Sequence, residues 1–166
     1  SGCRPAEATA PVYAVVQGVR VSSDGKSASL TAPNGLAHES LLRDTLASAG
    51  LQPEQLDYLE AHGTGTALGD PIEMGALAAV FGSDREESRP LVMGAVKANI
   101  GHLETGAGIA GLIKAVLVLQ HETAVPNPAL TTLNPKIAAV TKGFPVLFPR
   151  SSSSDTELSL RRMSGK

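Results

Sequence analysis

Apolar residues change their spacing several times along this chain, and each change predicts an element. Val12 to Val21 (VYAVVQGVRV) is dense in β-branched residues and predicts a strand. The polar stretch SSDGKSASLTAPNG follows, with Asp24-Gly25 and Asn34-Gly35 as turn signals. From Gly35 to Ala49, Leu36, Leu42, Leu46 and Ala49 recur at helical spacing, and Gly50 supplies the stop. Gln52 to Gln55 reads as a turn or a single helical turn, and Leu56 to Ala61 (LDYLEA) as a short strand. After the loop HGTGTALG, Asp70 stands as an N-cap, Pro71 at the first helical position and Glu73 at capping-box spacing. These predict a helix running to about Phe81 and stopping at Gly82.

SDREESR then reads as a solvated charged loop, and Leu91 to Val96 as a strand buried on both faces by its continuous apolar run. The loop KANIGHLE leads into a helix from about Thr105 to His121. That helix carries Gly106, Gly108 and Gly111, each costing about 1 kcal/mol relative to alanine. Its second half, LIKAVLVLQ, is apolar on nearly all sides. Both features predict a helix inside the protein, in close contact with another backbone. VPNPALTTLNP is a proline-rich loop, and Phe144 to Phe148 predicts an edge strand, since Pro145 excludes a central one. Residues 151–166 (SSSSDTELSLRRMSGK) read as a polar, disordered tail. No internal repeat is visible.

Strand, glycine-rich loop, capped helix, strand, loop, helix is the order of a layered α/β domain. The composition agrees. A chain of 166 residues, 42% hydrophobic and 18% charged, is globular material of about one domain. A net charge of −2 gives no electrostatic reason to expect nucleic acid or an anionic membrane, and 3% aromatics disfavour base stacking. The longest apolar stretch, Ile109 to Leu119, is interrupted by Lys114 and too short to span a bilayer. One cysteine, Cys3, cannot form an internal disulfide. With no visible secretory signal, this fits a reducing compartment, cytoplasm or organellar stroma. The chain starts without Met and is expected to be a piece of something longer.

The loop Gly63-Thr64-Gly65-Thr66-Ala67-Leu68-Gly69 follows a strand and opens a helix, as a dinucleotide fingerprint does. Three features oppose that reading. The last glycine falls one position late, Asp70 puts a carboxylate where a pyrophosphate needs positive potential, and the second strand ends in Lys97 rather than an acid. More informative are the strand ends. His62 directly follows the first short strand, and His102 follows the second after a short loop. Carboxyl ends of parallel strands line a common crevice, so the two imidazoles are placed to converge. They can offer two N–H donors to a developing oxyanion or enolate, or one can act as base. Read alone, each is better taken as a satisfied core or cap histidine, and it is the two at matching positions, each in a Gly-bearing loop, that give the functional reading equal weight. A two-histidine metal site is a third reading, but it lacks a clear third ligand. His38 and His121 read as surface or capping residues. Lys97 is either a snorkelling surface lysine or a buried cation set near the histidines, and Glu104 either pairs with it or caps the next helix.

EAHGTGTALGDPIE (Glu60 to Glu73) and VKANIGHLETGAGIAGLIKAVL (Val96 to Leu117) resemble the two histidine motifs of β-ketoacyl synthases, most closely the ketosynthase domains of type I polyketide synthases and related fatty acid synthases. SSDGKSASLTAPNG resembles the family's N-Q-D-G-R-S…L-T-A-P-N-G segment, with Ser22 and Ser23 in place of Asn-Gln. PNPALTTLNPKI resembles the stretch after the second motif, and the resemblance covers roughly residues 12 to 150. It implies a thiolase-like fold with α-β-α-β-α layers, of which residues 1–150 are the C-terminal half and the Gly-rich helix a candidate for the central layer. It implies decarboxylative Claisen condensation of a malonyl-type thioester with an acyl-cysteine. His62 and His102 match the active-site histidines, Lys97 the active-site lysine, and Thr64 and Thr66 the hydroxyls that contact the phosphopantetheine arm. Asp70 and Glu104 are expected as structural support. No cofactor or metal is expected on the chain itself, because substrates ride on the phosphopantetheine of an acyl carrier protein. The implied partners are that carrier protein, the missing N-terminal half of the domain, and a second copy in a homodimer.

Two departures stand out. The family's nucleophile segment, Asp-Thr-Ala-Cys-Ser-Ser-like, is absent, and Cys3 in Gly-Cys-Arg-Pro does not resemble it. The later Gly-Phe-Gly-Gly-Thr-Asn segment is also absent. The isolated chain is therefore expected to be inactive in condensation. The alternatives are a non-catalytic ketosynthase-like partner or non-functional product and, more remotely, a thiolase-related acyltransferase.

Overall fold

A computed structural model describes residues 11–25, 33–128 and 130–151. Cys3 and the tail from 152 onward lie outside the described residues.

Helix α1 spans Gly35–Ala49. The Asn34 side chain accepts the Ala37 N–H at its start, and Gly50 closes it at φ 68° with its N–H on the Ala47 and Leu46 carbonyls. A 3-10 turn at Pro53–Gln55 leads into strand β1, Tyr58–Glu60. Helix α2 spans Gly69–Phe81, strand β2 Leu91–Gly94 and the short helix α3 Lys97–Ile100. A 3-10 turn at Glu104–Gly106 precedes α4, Ala107–His121. Helix α5, Pro135–Val140, and strand β3, Val146–Leu147, complete the order.

The strands form one parallel sheet in the order β1-β2-β3. In register, Glu60 stands beside Gly94 and Leu91 beside Val146. Strand alternation divides the core. Leu59, Leu91 and Met93 pack with Met74, Leu77, Val80 and Phe81 of α2, with α1 and α5 behind. Tyr58, Val92 and Leu147 pack on the other face with Val118 of α4 and Ala124. The result is helices, sheet, helix, with both histidine loops leaving the carboxyl ends of β1 and β2.

Four expectations need correction. Residues 12–21 form no strand, and Val12, Val15, Val16, Val19 and Val21 are exposed. A β-branched run forms a strand only where a sheet edge takes up its backbone groups; this one lies along α1, where Gly18 fits against Ser48 and Ala49. Helix α4 is buried on one stripe only, at Ala107, Lys114 and Val118, while Ile109, Leu112, Ile113, Leu117 and Leu119 are 45–58% exposed. Of its predicted glycine contacts Gly111 makes a close one, and it meets the Glu60 side chain rather than another backbone. Helix α2 begins at Gly69 with no side-chain cap, so Asp70 lies inside its first turn. In the charged loop Arg85 is buried, its guanidinium donating to the Pro53, Leu56 and Arg89 carbonyls at 2.7, 2.8 and 3.0 Å. Burial lowers its pKa from the usual value, yet a guanidinium stays charged, and these carbonyls, with that of Phe81 at 3.4 Å, offset the desolvation.

Candidate active site

The first histidine loop is held by the helix that follows it. The Glu73 carboxylate accepts the His62 N–H at 2.7 Å and the Gly63 N–H at 3.0 Å. Asp70 accepts the Gly65 N–H at 3.1 Å, and the Thr66 hydroxyl accepts the Gly69 N–H at 3.0 Å. Asp70 thus supports the loop, though not as a helix cap. The His62, Gly63, Gly65 and Gly69 amides are thus taken by the chain's own oxygens and are not open to a bound phosphate, which adds to the case against a nucleotide. Gly63 and Gly65 turn the chain with φ of 50° and 78°. At Gly63 a Cβ would stand 2.8 Å from the Ala95 Cβ, so the loop packs directly on the end of β2.

The second loop is tied differently. The His102 Nδ1 accepts the Glu104 N–H at 2.9 Å. In the neutral ring this fixes the proton on Nε2, leaving that N–H to donate outward. Glu104 contributes through its backbone, at φ 49°, and its side chain makes no ion pair with Lys97 among the described residues. Of the two alternatives for Glu104, the pairing with Lys97 is therefore not formed.

The two imidazoles meet edge to face, ring centroids 6.1 Å apart and planes at 90°. Both rings are exposed, and Lys97, half-buried, shares a groove of about 350 Å³ with His62. Thr64 and Thr66 flank His62 in a groove that also holds Asp24 and His38. On the other side, Thr64, Lys97 and His102 border a cavity of about 460 Å³ whose wall includes Met74, Met93, Ile137 and Phe148. All five predicted residues therefore gather at one place. His38 lies 3.5 Å from Asp24 and lines the same groove as His62, while His121 ends α4 and lines none of these cavities.

Sequence reasoning passed over the residues beneath. Glu60 ends β1 with one carboxylate oxygen accepting the Val96 N–H. Its other oxygen accepts the Tyr58 hydroxyl at 2.5 Å and pairs with Lys114 of α4 at 3.2 Å. Burial, then the hydrogen bond to Glu60 and its charge, raise the Tyr58 pKa well above its ordinary value. Asn127, also buried, accepts the Ala95 N–H at 3.1 Å and so anchors the proline-rich loop to β2. Strand alternation was the available signal for Glu60, since it places the residue on the face opposite Leu59. Among the described residues, no group of three His, Cys, Asp or Glu could hold a metal ion.

The sequence matches the family described as "Beta-ketoacyl synthase, C-terminal domain" over residues 13–131. The chain belongs to that family. The ketosynthase chain is 54% identical over 111 residues to the polyketide synthase GfsB of Streptomyces halstedii, covering 67% of itself and 2% of that protein. It is 44% identical over 131 residues to the highly reducing polyketide synthase phiA of a fungal species, covering 79% of itself and 5% of that protein. Among solved structures it superposes on the oxazolomycin ketosynthase domain OzmH KS7 of Streptomyces albus JA3453 with TM-score 0.77 and 38% identity, over 84% of this chain and 24% of that one. The ketosynthase from module 1 of the bacillaene synthase of Bacillus amyloliquefaciens FZB42 gives TM-score 0.76 and 36% identity, over 84% and 25%. The fold is accordingly the thiolase-like α/β fold of ketosynthases, and the chain spans about a quarter of those two structures. No helix among the described residues is long and apolar enough to cross a membrane.

Proposed function

We propose that this chain supplies the two-histidine, decarboxylating part of a β-ketoacyl synthase acting on malonyl-type thioesters. The observation that carries the reading is the pair of imidazoles 6.1 Å apart, with His102 tied at Nδ1 so that its Nε2–H is free to donate. The thioester carbonyl oxygen lies between the two rings and accepts their N–H groups. When the bond between the α-carbon and the carboxylate breaks, CO2 leaves and the electron pair makes an enolate. Its charge collects on the oxygen the histidines hold, where preorganised donors do most of the catalytic work. The enolate carbon then attacks the carbonyl of an acyl-cysteine, and the cysteine thiolate departs.

Lys97 adds positive potential from the groove it shares with His62. Thr64 and Thr66 hold the phosphopantetheine arm from the groove they share with His62, the Thr66 hydroxyl still able to donate while it accepts from Gly69. An acyl carrier protein delivers the substrates, in a cytoplasmic homodimer. The N-terminal half of the domain brings the acyl-cysteine, because nothing near the histidine motifs of this chain matches that role. The 166-residue chain alone is then inactive in condensation.

The test is CO2 release from a malonyl thioester by the protein at its native length. His62→Ala and His102→Ala are expected to slow it by about 10²-fold or more each, as for loss of an oxyanion donor. Undiminished release by both variants refutes the reading.

A further inference from the structure

Glu60 connects three parts of the chain that the histidine site depends on. It ends β1, two residues before His62, so its backbone sets the direction in which the first histidine loop departs. Its Oε1 accepts the N–H of Val96, the residue just before the short helix that begins with Lys97 and leads to His102. Its Oε2 is held by the Tyr58 hydroxyl and by the Lys114 ammonium from α4. The Glu60 and Lys114 side chains are each only 9% exposed.

The surrounding backbone is shaped to admit this carboxylate. A Cβ at Gly94 would stand 2.3 Å from the Tyr58 hydroxyl and 2.9 Å from the Lys114 Nζ, and one at Gly111 would stand 3.3 Å from the Glu60 Cγ. Two glycines from different elements thus leave the room it occupies. A buried carboxylate is costly unless it is hydrogen-bonded and paired, and here an amide and a phenol donate to it while the Lys114 ammonium balances its charge at 3.2 Å without a hydrogen bond of its own. Were the pair there only to stabilise the core, two apolar side chains of the same volume would serve as well or better. What apolar residues cannot supply is an acceptor for the Val96 N–H, the bond that sets the Lys97 turn against the His62 strand end.

We propose that Glu60 is a positioning residue of the two-histidine site, with Tyr58 and Lys114 holding its carboxylate on the Val96 amide. This rests on the decarboxylating function above. The assay is CO2 release from a malonyl thioester by the native-length protein, with kcat taken per folded site. Glu60→Ala is expected to lower kcat by about tenfold or more while KM stays within about threefold, since small misplacements act on the reacting geometry rather than on binding. Glu60→Gln combined with Lys114→Met keeps the acceptor and strands no charge, and is expected to recover kcat to within about threefold of wild type. A folded Glu60→Ala protein with wild-type kcat overturns the proposal, as does a double variant no faster than the single one. If Glu60→Ala does not fold, Glu60→Leu with Lys114→Met removes the acceptor without stranding a charge, and the same comparison decides. If the wild-type protein releases no CO2, the functional reading falls and the imidazole NMR resonances judge the inference. Glu60→Ala is then expected to move those of both His62 and His102, and unmoved resonances overturn it.

Discussion

Glu73 is the sharpest place to test how the first histidine loop is held. Its carboxylate takes two backbone donors, His62 at 2.7 Å and Gly63 at 3.0 Å. Hydrogen bonds to a charged group contribute about 1.5–3 kcal/mol each, but His62 is exposed and water replaces part of what is lost. We therefore take about 1 kcal/mol per bond, somewhat below that range, and expect Glu73→Ala to cost about 2 kcal/mol. Even an acid in the first turn of a helix is worth only about 0.3–1 kcal/mol through the helix dipole, and Glu73 lies just beyond that turn, so the two accounts separate. For a chain of this length, about 2 kcal/mol lowers Tm by about 4–8 °C. Glu73→Gln keeps one good acceptor and should lose about half as much. Thermal denaturation of the three proteins at equal concentration measures this. A Tm change under about 2 °C for Glu73→Ala would show that the loop holds its shape without the carboxylate, and the reasoning would fail.

Gly63→Ala puts a methyl 2.8 Å from the Ala95 Cβ at a backbone φ of 50°, whereas Gly65→Ala has a similar φ of 78° with open space around it. Denaturant unfolding should show a loss of about 2–5 kcal/mol for the first and about 1–2 kcal/mol for the second, and equal losses would show that the Ala95 contact has no weight. Tyr58 has a raised pKa in the folded chain, so its protonated form favours folding: the contribution is full below the unfolded value of 10.0 and is lost as pH rises beyond it. Stability measured from pH 8 upward should therefore decline more steeply above about pH 10 in the wild type than in Tyr58→Phe, and parallel curves would contradict the assignment.

Elements whose signal is local were legible in the sequence. Helix α1 has apolar spacing, an asparagine at its start and a glycine at its stop, and its observed span, Gly35–Ala49, is the predicted one. Strand β2 announces itself by four apolar or small residues that no surface position requires. The convergence of His62 and His102 followed from the general rule about parallel strand ends, and the family resemblance then attached chemistry to it. Residues whose role depends on a distant partner were not legible. Glu73 has the spacing of a helix-capping acid, and nothing in that spacing tells that it reaches back to His62. Arg85 lies in a run of charges, so its burial against the Pro53 and Leu56 carbonyls has no trace in the sequence. Residues 12–21 failed for the opposite reason: their β-branched run records a backbone preference, while a strand also needs a neighbour.

The ties on the two histidine loops differ in how much chain they enclose. The Glu73 bonds join residues 10 and 11 positions apart, and the Asp70 bond residues five apart. The Glu60 bond to Val96 spans 36 positions and the Asn127 bond to Ala95 spans 32. Closing a loop costs entropy that grows with its length, so the His62 loop is a local cassette that can take shape as soon as α2 exists. The Lys97 and His102 segment must wait until the sheet has paired and the chain has returned past residue 127. Assembly of the pair is therefore governed by its second member, and the two imidazoles come into register only when nearly all of the described chain is in place.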